Sequence, residues 1–427
     1  MNSAFGRPAP DRLAAPSAAG RRRVAIIGAG MVGEIHRRAA MLAGADVIGV
    51  LASTGERSAQ VATQWGVAGF RTVREIVDSD ADVVHVCTPN ATHAALSEAL
   101  IEAGKHVICE KPLGISVAQA QRMTDQAAAA GVVAAVPFVY RYHPLAYEIL
   151  ARRRAGEFGG WHLLHGSYLQ DWMSSPCSSS WRVDPAANGP SRAFADIGSH
   201  WCDLVEWVSG ERIMQVNAAT MIAFGERPVD GGRSFGASSA SGSRAAPVTT
   251  EDAAVVNFRT ANGVLGTVTV SQVSAGRKNR LWFELDGLHG SVAFDQENPD
   301  SIWLGTTSGH TVLARDAQHG SREQQSRYPL PAGHNRGYAQ CFEDFVADTY
   351  LAVDGGNPES LPRFADGLRS ARIVDAVLRS ADSGSWTSLA DAADSSATDS
   401  GSGSRSRSGS GSGFGSGSGS EGREQAG

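Results

Sequence analysis

The chain lacks the features that would commit it to nucleic acid, to a membrane or to an oxidising compartment. Across 427 residues the formal charge is only −6, so no basic excess offers a footprint for nucleic acid or an anionic bilayer. The five cysteines, Cys87, Cys109, Cys177, Cys202 and Cys341, are dispersed without any C-x-x-C spacing. Such a set argues against a disulfide framework and a zinc site and points to the cytoplasm. No apolar run is long enough to span a bilayer. Arg21, Arg22 and Arg23 precede an apolar stretch as an export signal would, but that stretch is short, broken by glycine, and runs into Glu34 and His36. What remains is a composition 42% hydrophobic and 19% charged, suited to a soluble protein of two domains with a small-molecule ligand.

Residues 1–22 lack periodicity and read as a disordered leader. Residues 391–427 are mostly Ser and Gly, with too little apolar surface to offset the entropy of ordering them. The Gly/Ser-rich stretch from Pro228 to Pro247 reads as a mobile loop. Between the tails the pattern changes once, near residue 140.

Residues 23–140 alternate apolar strands with amphipathic helices. VAIIGAG, DVIGVLAS, ADVVHVCTP, KHVICEKP and VVAAVPFVY read as strands, with a helical segment after each of the first four. That succession predicts a doubly wound parallel sheet of the Rossmann kind. Residues 141–390 carry longer strands with turn signals at Asn262-Gly263 and Gly287–Gly290, predicting an α/β domain on a large antiparallel or mixed sheet. Two late helices, near 338–353 and 364–380, are expected to pack on that sheet or on the first domain.

Gly28-Ala29-Gly30-Met31-Val32-Gly33 fits G-x-G-x-x-G between a strand and a helix. The first glycine permits the turn, the second lets a pyrophosphate approach, and the third lets helix and strand pack; the helix start attracts the anion. Such sites usually carry an acid about twenty residues on, gripping the ribose 2′-hydroxyl. Ser53 and Thr54 stand there instead, with Arg57 nearby. NAD and NADP therefore both stay open as the cofactor.

Thr88, Pro89 and Asn90 end one strand, and Glu110, Lys111 and Pro112 end the next. Both clusters are expected at the carboxyl end of the sheet, where ligands bind. Lys111 suits holding a substrate oxygen. Asp196, His200 and Asp203, if helical, share one face.

The succession GAGMVG, CTPN, EKP and DIGSH resembles the glucose–fructose oxidoreductase, inositol dehydrogenase and rhizopine-catabolism (Gfo/Idh/MocA) family over roughly residues 22–385. The resemblance implies an NAD(P)-dependent dehydrogenase acting on a secondary alcohol of a sugar or polyol, with a large open sheet that builds homodimers or homotetramers. It implies Lys111 as catalytic lysine before a cis proline, His200 as general base, and Asp196 as the residue that orients His200 or binds a substrate hydroxyl. Thr88, Pro89, Asn90, His93 and Glu110 match positions about the cofactor, beside Met31 and Val32 of the glycine turn. Two departures stand out: Asn188-Gly189-Pro190 replaces a glycine triplet, and Ser53 replaces the inositol dehydrogenases' aspartate.

Tyr140, Arg141, His143, Gln170, Trp172 and Arg192 are candidate sugar-pocket residues, because aromatic faces stack on sugar C–H faces while amides and charged groups take hydroxyls. Trp181-Arg182 and His334-Asn335 are weaker candidates, His162 and His165 read as structural, and no metal is expected. The alternatives are a glycosidase or lyase working by transient oxidation and elimination, and a non-catalytic dinucleotide sensor.

Overall fold

The computed structural model describes residues 21–389, apart from 229–236, 239–244, 328–329 and 335. The leader up to residue 20, the Ser/Gly tail, most of the Pro228–Pro247 stretch and Asn335 lie outside the described residues.

The expected alternation forms one parallel sheet. Its elements are β1 (Arg23–Ile27), α1 (Met31–Leu42), β2 (Asp46–Leu51), α2 (Gly55–Trp65), β3 (Ala68–Phe70), α3 (Val73–Val77), β4 (Val83–Val86), α4 (His93–Glu102), β5 (His106–Cys109), α5 (Val117–Ala130) and β6 (Ala134–Ala135). The strand order is β3-β2-β1-β4-β5-β6. β1 and β4 are buried throughout except at Arg23, as central strands covered on both faces must be. Serine and threonine side chains cap the helices where the sequence offers them: Thr54 for α2, Thr72 for α3 and Ser116 for α5.

Two details differ from expectation. β3 and α3 were not foreseen, being too short to show a period. VVAAVPFVY gives only the two residues of β6, because Pro137 cannot donate to a ladder and Val139–Tyr142 turn into a 3-10 helix.

The second sheet has nine strands, mainly antiparallel. From one edge they run Gly309–Ala314, Ser301–Thr306, Ser291–Asp295, Arg280–Gly287, Trp161–Leu169, Leu265–Ser271, Ala253–Thr260, Ile213–Met221 and Thr387–Ser388. Only Trp161–Leu169 and Leu265–Ser271 pair in parallel. Alternation along these strands sends Leu281, Phe283, Leu285, Val268 and Val270 into the core against Trp201, Leu204 and Val208 of the helix Ser199–Ser209. Each such side chain contributes about 1.5–3 kcal/mol. The opposite face stays open and carries Leu163, Val255 and Leu265 exposed.

The late helices tie the two sheets together. Cys341, Phe342 and Phe345 of Tyr338–Val353 pack with Val24 and Ile26 of β1. Phe364 and Leu368 of Phe364–Ser383 join the core beneath α5, while Ile373 and Val377 join the second sheet. All five cysteines are free, and no described helix is long and apolar enough to cross a membrane.

Candidate active site

A cavity of about 1130 Å³ runs along the carboxyl ends of β1–β5 and under the second sheet. Its construction begins at the glycine turn. Gly28 has φ +104°, and a Cβ there would stand 2.5 Å from the Cys87 carbonyl oxygen. A Cβ on Gly33 would stand 2.0 Å from the Gly28 oxygen, so this glycine lets α1 pack on β1 rather than facing the cavity. A Cβ on Gly30 would meet nothing within 4 Å. Gly30 also caps α1 without a side-chain hydrogen bond. Open backbone at an uncapped helix start fits a pyrophosphate, so the turn accommodates the dinucleotide that its pattern implies. Met31 and Val32 line the same wall.

At the other end Lys111, which precedes the cis Pro112, reaches across from the first sheet to the second. Its Nζ donates to the Asp196 carboxylate at 2.6 Å and to the Asp196 carbonyl at 2.9 Å. An ammonium has three N–H groups, so one remains for a ligand oxygen. Asp196 sits in a π-helical turn, Phe194–Gly198, that leads into Ser199–Ser209; such turns frequently mark functional sites. Gln272 donates to the other carboxylate oxygen, Oδ2, at 2.9 Å, and Arg182 Nε lies 3.6 Å from Oδ1, the oxygen that Lys111 bonds. Burial works against the Asp196 charge, but Lys111 and then Arg182 hold its carboxyl well below the usual range.

His200 lines the cavity between the rings of Tyr140 and Phe138, whose centroids lie 5.0 and 5.7 Å from its own. Its Nδ1 is buried without a hydrogen-bond partner among the described residues, leaving Nε2 as the nitrogen open to the cavity. Burial, then the charge of Lys111, lower its pKa to about 3. The expectation that Asp196 orients His200 is therefore corrected, since that carboxylate is committed to Lys111, Gln272 and Arg182. Asp203 is corrected too. The π turn breaks the seven-residue alignment, and Asp203 accepts from Arg141 Nε at 2.8 Å, away from the cavity.

Glu110 ends a buried chain that the sequence reading missed. Tyr350 hydroxyl lies 3.0 Å from His85 Nε2, His85 Nδ1 lies 2.9 Å from His36 Nδ1, and His36 Nε2 lies 3.2 Å from Glu110. With both imidazoles neutral, each link has one donor and one acceptor, running from Tyr350 to the carboxylate. Burial, then His36, hold His85 well below its usual pKa. Burial opposes the Glu110 charge, but the His36 hydrogen bond and Lys111 outweigh it and lower its pKa.

Thr88, Pro89 and Asn90 line the cavity as expected. Asn90 Nδ2 donates to Asn188 at 2.9 and 3.0 Å, which gives the departing Asn188-Gly189-Pro190 segment a role in joining the two sheets' loops. His93 is corrected: it is buried and bonds the Pro112 and Thr88 carbonyls at 2.9 and 2.8 Å, behind the wall. Ser53 and Arg57 line the cavity, whereas the Thr54 hydroxyl accepts from the Arg57 amide and caps α2.

At the Lys111 end of the cavity the expected pocket residues Tyr140, Gln170 and Trp172 all line the wall. Trp172 Nε1 donates to Gln170, Gln170 donates to Asn279, and Tyr168 joins Asn279 to Tyr140, all at 2.7–2.9 Å. Tyr168, Lys278, Asn279 and Tyr338 were missed, and Trp181 and Arg182 matter more than expected. Arg192 is corrected: its guanidinium is fully buried in an ion pair with Asp252, where a charge survives only beside its counterion. Arg141 pairs with Asp203 and Asp366, and His143 caps the helix Pro144–Arg154; neither lines the cavity. His334, also a weaker candidate, is absent from the wall. Among the described residues one group has metal-ligand proximity, His165, Glu284 and Asp286, and it lies outside this cavity, on strands of the second sheet.

Comparison with known proteins agrees with this geometry. A family model described as an oxidoreductase family with an NAD-binding Rossmann fold matches residues 22–138, and a GFO/IDH/MocA C-terminal domain matches residues 148–293. Levoglucosan dehydrogenase of Pseudarthrobacter phenanthrenivorans is 32% identical over 348 residues, covering 78% of this chain and 87% of the relative. Inositol 2-dehydrogenase of Rhizobium meliloti is 26% identical, covering 84% and 96%. A solved levoglucosan dehydrogenase in complex with NADH and levoglucosan superposes with a TM-score of 0.78 at 29% identity, covering 87% of this chain and 100% of that one.

Proposed function

The chain belongs to the Gfo/Idh/MocA oxidoreductases, and from that premise we propose that it oxidises a secondary alcohol of a neutral sugar or polyol in the cavity between Lys111 and His200. The observation that carries this reading is the meeting of three parts on one cavity: the Gly30 cradle, the Lys111–Asp196 pair and the open Nε2 of His200.

A bound nicotinamide supplies the hydride acceptor. Neutral His200 accepts the hydroxyl proton at Nε2, and the remaining N–H of Lys111 stabilises the alkoxide. The lysine charge that depresses His200 is offset as the alkoxide forms, so the imidazole gains proton affinity when it is needed. Asp196 positions Lys111. The cations at the sugar end, Arg182 and Lys278, face Asp196 and Asp171, which favours an uncharged sugar over a sugar phosphate or acid. Trp172, Trp181 and Tyr140 supply stacking faces and Gln170 and Asn279 the polar contacts. The named relatives are dehydrogenases, which favours net oxidation over elimination.

In this reading residues 23–140 form the dinucleotide domain and 141–390 the substrate domain. The open sheet face, with Leu163, Val255 and Leu265, suits a second copy in a homodimer or homotetramer, and the free cysteines suit the cytoplasm. The test is a panel of levoglucosan, myo-inositol, glucose and glucose 6-phosphate, assayed for reduced dinucleotide. A neutral member reacting at least tenfold faster than the phosphate supports the proposal; reaction of the phosphate alone overturns it.

A further inference from the structure

The end of the cavity away from Lys111 is lined by Ser53, Arg57 and Arg71. They follow β2, open α2 and follow β3 respectively. Ser53 and Lys111 stand at the ends of strands three places apart in the order β2-β1-β4-β5, about 14 Å at the usual strand spacing. With the nicotinamide at Lys111, Ser53 stands at the adenosine ribose, a placement that rests on the dinucleotide site proposed for the glycine turn.

Three positive features meet there, the Arg57 and Arg71 guanidiniums and the start of α2, whose first turn carries one acid, Glu56. Among the described residues, no carboxylate lies within the 4.0 Å ion-pair distance of the Arg57 or Arg71 guanidinium. Arg57 reaches only Gln60, at 3.4 Å, and Glu75 engages the Arg71 backbone amide rather than its side chain. The two carboxylates in the cavity wall, Glu110 and Asp196, belong to the other end. A Cβ placed on Gly55 would lie 3.6 Å from Arg71 Nε, so the Arg71 guanidinium is folded across the first residue of α2. A cation at a helix N-terminus is unfavourable. A second arginine in the same turn adds to the repulsion. A dianion placed between them removes it.

We propose that this dianion is the 2′-phosphate of the adenine ribose, so that the protein takes NADP(H) in preference to NAD(H). Arg71 and Arg57 hold the phosphate, and the Ser53 hydroxyl donates to it from the place where a carboxylate would grip a bare 2′-hydroxyl and repel a phosphate. The neighbouring levoglucosan dehydrogenase was solved with NADH; the preference proposed here rests on Ser53, Arg57 and Arg71 of this chain.

Calorimetric titration of the full chain with 2′,5′-ADP and 5′-AMP, neither able to accept hydride, isolates the phosphate. Tighter binding of 2′,5′-ADP by about tenfold or more is expected. Arg71→Ala and Arg57→Ala should each remove most of that gap, with Arg71→Lys restoring part of it, and Ser53→Asp should abolish it. All three side chains are exposed, and unchanged melting verifies that the variants fold. Equal affinities for the two probes, or a gap that survives Arg71→Ala and Arg57→Ala together, overturn the proposal. Parallel titrations with NAD+ and NADP+ separate the two levels. Binding of NAD+ as tight as NADP+ defeats the phosphate site alone, whereas binding of neither defeats the dinucleotide reading with it.

Discussion

Lys111 Nζ and Asp196 Oδ1 stand 2.6 Å apart, a contact between the loop after β5 of the first sheet and a π-helical turn beneath the second. It is a fold contact and, in the function proposed above, a catalytic one, since the same ammonium retains an N–H for substrate.

Replacing Asp196 by Asn keeps the shape and removes the counterion. We expect a loss of about 10²-fold or more in kcat, in the range of misplaced acid–base groups, with little change in dinucleotide affinity, because Asp196 lies at the sugar end. Steady-state kinetics beside dinucleotide titration check both. Full retention of kcat would remove Asp196 from the positioning of Lys111.

The chain from Tyr350 to Glu110 should register as stability. His85→Leu leaves the Tyr350 hydroxyl and His36 Nδ1 without partners in the interior. The expected cost is about 1–3 kcal/mol, measured as a lower urea midpoint at unchanged slope. An unchanged midpoint would mean that water or rearrangement satisfies both groups.

His93 gives a pH signature. Both of its ring nitrogens face carbonyl oxygens, and only a protonated ring donates to both at once. Burial opposes that charge, but Cys109 and the two carbonyls outweigh it and raise the pKa to about 9. The folded value lies above the unfolded one, so the stabilisation is full below about pH 6.5 and is lost as pH rises through about 9. The stability gap between wild type and His93→Gln should narrow over that window. A gap that widens with pH would show the ring to be neutral.

Much of this was legible in the sequence, for a physical reason. The glycine turn, Thr88–Asn90, Glu110 and Lys111 are local motifs at strand ends, where the sheet's geometry decides what they face. Residues whose role depends on a partner far along the chain were not legible. Arg192 carries the charge of a ligand-binding residue, yet Asp252, sixty residues on, claims it. Asn279 and Arg71 sit in stretches without a motif and enter the cavity only through strand order. The π turn at Phe194–Gly198 leaves no trace in the pattern, so a regular helical period puts Asp196 on the face of Asp203, and that period does not hold across the turn.

The decisive measurement compares wild type with Lys111→Ala on the best neutral sugar of the panel, following ketone and reduced dinucleotide together and titrating the cofactor separately. One reduced dinucleotide per ketone is expected, with the rate reduced at least about 10²-fold in the variant and cofactor affinity nearly kept. Ketone without reduced dinucleotide, or a variant as fast as wild type, would contradict a hydride transfer assembled around Lys111 and His200.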